Sequence, residues 1–283
     1  MDTVLIDKEL LATIRSSNLH LSVEASACSF GFALLDTLGN RFVAMGYRNF
    51  NENLSGATLA ERLRYEFENS GLTEYSYAKS SFAWISSRAT LVPEALFDEQ
   101  YAEDYYILNH GPLADENLYF EKVKGLGAYN IFSLPIAIEE FCANTLTNFG
   151  ITHHSRALLE SLLLAGNIKG TNIYVHVQAR HFDMVITEDE TLKLYNYYAY
   201  TSAEDFVYHT LNTCKQLGYN PQEMTITLLG EIEPLSTLND LLNKYIQRVT
   251  YYNPKPFYTL SIALQELPRH FYFNLFNQYL CVS

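Results

Sequence analysis

Residues 20–40 read His-Leu-Ser-Val-Glu-Ala-Ser-Ala-Cys-Ser-Phe-Gly-Phe-Ala-Leu-Leu-Asp-Thr-Leu-Gly-Asn, and residues 172–192 read Asn-Ile-Tyr-Val-His-Val-Gln-Ala-Arg-His-Phe-Asp-Met-Val-Ile-Thr-Glu-Asp-Glu-Thr-Leu. Laid over one another without gaps, the two stretches share a pattern. Leu21, Val23 and Ala25 alternate with polar neighbours as Ile173, Val175 and Val177 do, so each predicts a strand with one buried face. After a short turn, Phe30, Phe32 and Leu34 alternate in the first stretch and Phe182, Met184 and Ile186 in the second. Gly39 or the polar run Glu188–Thr191 then turns the chain into an aromatic-rich third strand, 41–50 or 193–200. Ala27 coincides with Ala179 and Phe30 with Phe182, but the order of the signals carries the argument more than identity does.

The likeness continues outward. Thr58-x-x-Glu61 and Thr201-x-x-Glu204 read as capping boxes, each opening a helix with an apolar face that stops at Gly71 or Gly218. A short strand follows, 81–85 or 224–229, and then a segment opened by Pro93 or Pro234 that reads as another helix. The expectation is a βββαβα unit present twice. Between the copies, 130–134 reads as a strand, 135–149 as a helix and 156–165 as a second helix; after the break at Asn253-Pro-Lys-Pro256, 257–267 and 270–280 read as closing helices.

Composition bounds the rest. The 283 residues are 48 % hydrophobic and 18 % charged, which describes a chain able to bury a core. A net charge of −13 repels phosphate backbones and anionic surfaces, so nucleic acid is not an expected partner. Cys28, Cys142, Cys214 and Cys281 form no metal-type pair and read as free thiols. The opening residues lack a basic start followed by an apolar run, and no apolar stretch approaches the ~20 residues of a membrane span. A cytoplasmic location without membrane insertion is the expectation.

Two lobes that each open with a meander followed by helix, strand and helix resemble the actin-like ATPase superfamily, in which two ribonuclease-H-like lobes carry the nucleotide chemistry. Residues 172–249, with Glu204-Asp205 at a helix start and Leu228-Leu229-Gly230 at a strand end, resemble the second lobe of the actin-like proteins of type IV pilus assembly and type II secretion. Length, residues 19–50 and 170–230, and the aromatic ending 270–283 resemble an uncharacterised bacterial family assigned an actin-like fold. The resemblance implies lobes at 1–150, with an N-terminal helix, and 151–283, with C-terminal helices.

The same resemblance implies where nucleotide chemistry would lie: two hairpin turns of pattern D-x-G-[TS], whose backbone N–H groups hold phosphate, and a strand followed by paired glycines for adenosine. The first turn here is Glu24-Ala-Ser26-Ala-Cys28-Ser29, with a carboxylate in the Asp position and Ser26 in that of the glycine. The second, His176-Val-Gln178-Ala-Arg180-His181, has neither Asp nor Gly, and the adenosine pattern is reduced to Gly230-Glu231. With 13 glycines against a typical ~7 %, phosphate loops are scarce.

The expectation is therefore a binding or scaffolding module without a cofactor, in which the turns 24–29 and 176–181 face one another across an interlobe cleft that closes on a small ligand or on a segment of an unknown protein partner. Its oligomeric state is not legible. The alternative is an ATPase or phosphotransferase in which Glu24 carries Mg²⁺ and Ser26 with Arg180 contacts ATP. His176, Arg180 and His181 form either a solvated hairpin or a cationic set for a carboxylate or phosphate ligand. Adjacent His153 and His154, read on a strand, point to opposite faces and suggest structural roles. Gly125-Leu-Gly127 reads as a turn before a strand, and the acidic run Asp98, Glu99, Glu103, Asp104 as a solvated helix face.

Overall fold

A computed structural model describes residues 3–164, 169–189, 191–253 and 257–282. The chain forms two compact units, Met1–Ser161 with Pro256–Glu266 and Asn274–Ser283, and Leu162–Lys255 with Leu267–Phe273. The closing residues are thus shared between the units rather than held by the second lobe alone.

In chain order the first unit contains β1 (Thr3–Ile6), α1 (Lys8–Leu11), β2 (Leu19–Ser26), β3 (Ser29–Asp36), β4 (Arg41–Asn49), α2 (Gly56–Asn69), β5 (Lys79–Trp84), β6 (Ala89–Pro93), α3 (Ala102–His110), β7 (Glu116–Val123), β8 (Ala128–Pro135), α4 (Ile136–Thr145) and β9 (Phe149–His153), and α5 (His154–Leu164) follows. The second contains β10 (Thr171–Val177), β11 (His181–Glu188), β12 (Thr191–Ala199), α6 (Ala203–Gln216), β13 (Thr225–Gly230), α7 (Thr237–Leu242) and β14 (Arg248–Tyr251). β15 (Thr259–Leu260) and α8 (Phe273–Asn277) close the chain.

The main sheet of the first unit runs β1-β4-β3-β2-β5-β9, and that of the second β12-β11-β10-β13-β14. Setting β1 aside, the order is third, second, first, fourth, fifth in both. In both the first three strands are antiparallel and the last three parallel. This shared topology is the expected repeat.

The hydrophobic alternation does the packing. Leu21, Val23 and Ala25 of β2 join Leu59, Leu63 and Phe67 of α2 and Phe141 of α4 in one core. Ile173, Val175 and Val177 join Phe206, Val207 and Cys214 of α6 in the other. Both faces of β2 are buried. On the face opposite α2, Gln278 Nε2 donates to the Val23 carbonyl at 2.9 Å and to Ser81 Oγ at 3.1 Å, while Phe42 meets Tyr258, Phe276 and Tyr279 at ring distances of 4.9, 4.7 and 5.9 Å. His20 lies in the same polar layer, bonded to Ser81 Oγ at 3.0 Å, and burial pushes its pKa down to about 4.

Four local expectations are corrected. The N-terminal element is a strand on the edge of β4 followed by a single helical turn. The closing segments form β15, which pairs with β4, and short helical turns, because edge pairing and burial of Phe276 and Gln278 override a weak helical period. The helix starts lie off the expected boxes: Ser55 precedes α2 without a side-chain cap, and Ser202 rather than Thr201 caps α6, accepting the Asp205 N–H at 3.1 Å. Pro93 ends β6 instead of opening a helix, and only a short helical turn, Glu94–Leu96, follows it directly; β6, α3, β7 and β8 form an inserted subdomain with its own three-stranded sheet, β6-β8-β7, where the second unit passes from β13 to α7 through residues 231–236. No helix among the described residues is long and apolar enough to cross a membrane.

Candidate functional site

In the first unit β2 and β3 pair down to Ser26 and Ser29, leaving Ala27-Cys28 as the turn. Ser26 closes it: its hydroxyl lies 2.7 Å from Ser29 Oγ, accepts the Cys28 N–H at 3.1 Å and sits 3.5 Å from Cys28 Sγ. The Ala27 and Cys28 carbonyls accept from the Leu54 and Phe50 amides at 2.7 and 2.6 Å. A Ser where a phosphate loop would place glycine therefore serves the turn itself. Glu24 is buried opposite Gly31. A Cβ at Gly31 would stand 3.0 Å from Glu24 Cγ and 2.9 Å from the Tyr47 ring, so the glycine makes room for the carboxylate.

The second turn spans Gln178–His181. Its Gln178 N–H donates to the His181 carbonyl at 2.8 Å, the Tyr200 hydroxyl donates to the Gln178 carbonyl, and the Tyr200 N–H donates to the Arg180 carbonyl at 3.1 Å. Arg180 is exposed, whereas His181 is buried and stacked on Tyr197 at 4.4 Å. Asp183, fully buried, lies across the ladder from His176. Its Oδ2 meets His176 Nδ1 at 3.2 Å, and its Oδ1 accepts from the Tyr195 hydroxyl at 2.9 Å. The sequence reading missed this carboxylate because it sought one on the first strand. A four-residue turn sets residue 176 opposite 183, and that register was the available signal.

Gly230 lies beside this turn, paired with Val177. At φ +86° an added Cβ would stand 2.0 Å from the Val177 carbonyl oxygen. The Gly230 N–H donates to the His270 carbonyl at 2.6 Å, and the Glu231 N–H to that of Val177 at 2.7 Å. His270 Nε2 donates to the Ile232 carbonyl at 3.0 Å, and burial lowers its pKa. Glu24, Ser26, Cys28 and Ser29 are thus gathered in one unit, and His176, Gln178, Arg180, His181, Gly230 and Glu231 in the other.

The carboxyl ends of the parallel strands β2, β5 and β9 lie level in the first unit, through Ala25, Trp84 and His153. Here His153 ends a strand and His154 begins a helix, so the expected opposite faces do not arise and their rings lie 4.4 Å apart. His153 Nε2 faces the Ser86 carbonyl at 3.1 Å, which can only accept, and Nδ1 faces the Ser155 N–H at 3.3 Å, which can only donate. Nδ1 also lies 2.8 Å from Ser155 Oγ, and Ser86 Oγ stands 3.5 Å from Nε2, so both ring nitrogens are engaged and the ring is oriented by its neighbours. Beyond it, Arg88 Nε donates to the Tyr106 hydroxyl at 2.7 Å, which donates to Ser133 at 2.6 Å.

A hard cation such as Mg²⁺ requires oxygen ligands. Glu24 with the Ser26 and Ser29 hydroxyls is the oxygen set of the first turn; in the second, Asp183 is engaged with His176 and Tyr195.

A family model described as a protein of unknown function (DUF3822) matches residues 7–249. No curated protein is significantly similar to the chain in sequence. Among solved structures, a Bacteroides thetaiotaomicron protein with an actin-like ATPase fold and unknown function is 24% identical, with a TM-score of 0.75 over 88% of this chain and 95% of that one. A chain of the PilM-PilN type IV pilus biogenesis complex is 14% identical, with a TM-score of 0.62 over 93% and 98%. The cytoplasmic domain of EpsL, an inner membrane component of the Vibrio cholerae type II secretion system, is 10% identical, with a TM-score of 0.50 over 94% and 95%. These likenesses show the actin-like ATPase fold.

Proposed function

This chain belongs to the DUF3822 family, and we propose that it is a cytoplasmic, non-hydrolysing binding module that engages a partner protein in place of ATP. One observation carries the reading: at both turns where an actin-like fold would grip phosphate, and at the strand end beside the second, backbone N–H groups are already bonded within the chain. The Cys28 N–H is bonded by Ser26, the Gln178 N–H by His181, and the Glu231 N–H by Val177. A triphosphate needs such N–H groups converging on it. To bind, it would have to break these bonds beside the carboxylates of Glu24 or Glu231. The PilM relative, found in a complex with PilN, supports the view that this fold can be used for protein binding.

The second reading, an ATP-dependent phosphotransferase with Mg²⁺ on Glu24, is favoured by that buried carboxylate. Thermal unfolding separates the two. A nucleotide at a hundred times its dissociation constant stabilises by about 2.7 kcal/mol, a shift of several degrees for a protein of this size. The expected result is a melting temperature unchanged by millimolar Mg-ATP and no Mg²⁺-dependent phosphate release. A shift of several degrees with turnover lost in Glu24→Ala would overturn the proposal.

A further inference from the structure

We infer that the inserted subdomain, β6-β8-β7 with α3, is a docking edge for a basic, extended segment of another protein, which adds as a strand beside β7. The inference deepens the binding-module reading and rests on it. β7 ends its sheet, and among the described residues no strand pairs with its outer edge. The Ile136 N–H donates to the Asp115 carbonyl at 3.0 Å and the Leu126 N–H to that of Val123 at 3.3 Å, which fixes the ladder's parity. Residues 117, 119, 121 and 123 then turn their backbone groups toward β8, and Leu118, Phe120 and Lys122 turn theirs outward. Such a row is a template for an added strand.

The chemistry around the edge selects the occupant. Phe120 is 39% exposed and lies 5.4 Å from Phe97, which stacks on Tyr129 at 4.0 Å, so an apolar side chain on the incoming strand has a surface to cover. Beside this surface Lys122 pairs with Glu94, and Arg88 with Glu116 at 3.2 Å. Asp98, Glu99, Glu103, Asp104 and Asp115 remain exposed around it. Asp98 and Glu99 directly follow Phe97, and Asp115 directly precedes β7. A strand alternating lysine or arginine with apolar residues complements this surface in shape and charge. A second copy of this chain, at −13, would bring like charge to it.

The test uses three labelled octapeptides, alternating Lys-Val, alternating Glu-Val, and a Lys-Val version with proline at alternate positions, titrated by fluorescence anisotropy against the full chain. The Lys-Val peptide is expected to bind, more weakly as salt rises, and the other two to show no binding. Glu99→Gln, Glu103→Gln and Asp115→Asn together should weaken it by about tenfold, as expected for the loss of three exposed charges. Asparagine suits the left-handed φ of +57° at 115. Lys122→Pro removes an outward N–H while leaving the β8 ladder intact, and should abolish binding in a protein whose circular dichroism is unchanged. Equal binding of Lys-Val and Glu-Val, binding indifferent to Lys122→Pro, self-association through this edge, or no peptide binding would each overturn the assignment. The Mg-ATP titration is read separately, so peptide failure with an inert nucleotide result defeats this inference alone.

Discussion

Gly230→Ala is expected to destabilise the second unit by about 3–5 kcal/mol, the range reached when backbone strain and steric overlap combine. Two effects act at that position. At φ +86° a side chain is strained by about 1–2 kcal/mol, and the new Cβ would lie 2.0 Å from the Val177 oxygen and 2.9 Å from its nitrogen. Those atoms belong to the ladder of β10 and cannot move aside as a flexible side-chain tip can. Gly218→Ala is the control, since φ there is +82° and nothing stands within 4 Å of the added atom. It should cost only about 1 kcal/mol. Guanidinium unfolding of the two variants measures the difference; equal losses would show that the strand end tolerates the approach.

Arg156→Ala is expected to cost about 3–5 kcal/mol at pH 7, because removing one partner from a buried ion pair strands the other. Arg156 Nη1 lies 3.1 Å from Glu121 Oε2, and Nε lies 2.8 Å from Glu160 Oε1. Burial pushes the Glu121 carboxyl up, and Arg156 is the main group opposing that rise. Without the arginine the folded-state pKa of Glu121 moves further above its unfolded value. The folded state then binds protons in preference to the unfolded one, so the variant's deficit should shrink as pH falls from 7 toward 5. The exposed pair Lys193 with Glu188 gives the contrast. Lys193→Ala should cost less than about 0.5 kcal/mol, with little pH dependence. A pH-independent loss in Arg156→Ala would remove the buried charge as its cause.

The repeat was legible because its signals are local: alternation in 21–25 and 173–177, turn residues after them, and apolar faces such as Leu59, Leu63 and Phe67. The inserted subdomain was not. Its strands carry weaker alternation, as at Glu116–Val123, and they find order by packing on α3 and by side-chain links such as Tyr119 to Glu139 at 2.5 Å. The closing segment was misread for a related reason. Phe276, Tyr258 and Gln278 acquire their places from contacts with Phe42, Ser81 and Val23, more than two hundred residues away for Phe42 and Val23. At the candidate turns, sequence located the residues. The Ser26 closure, the Asp183 network and the His153 contacts required knowing which strand faces which, and the last also required the junction of β9 with α5.

The Cys28 and Gln178 amides at the two turns, and the Glu231 amide beside the second, already hold partners within the chain. Amide NMR of the labelled protein, titrated with the Mg complex of a non-hydrolysable ATP analogue to several millimolar, tests this at the atoms concerned. The Cys28, Gln178 and Glu231 resonances are predicted to stay in place. Saturable shifts of these three amides at micromolar analogue would show instead that the turns open to hold phosphate.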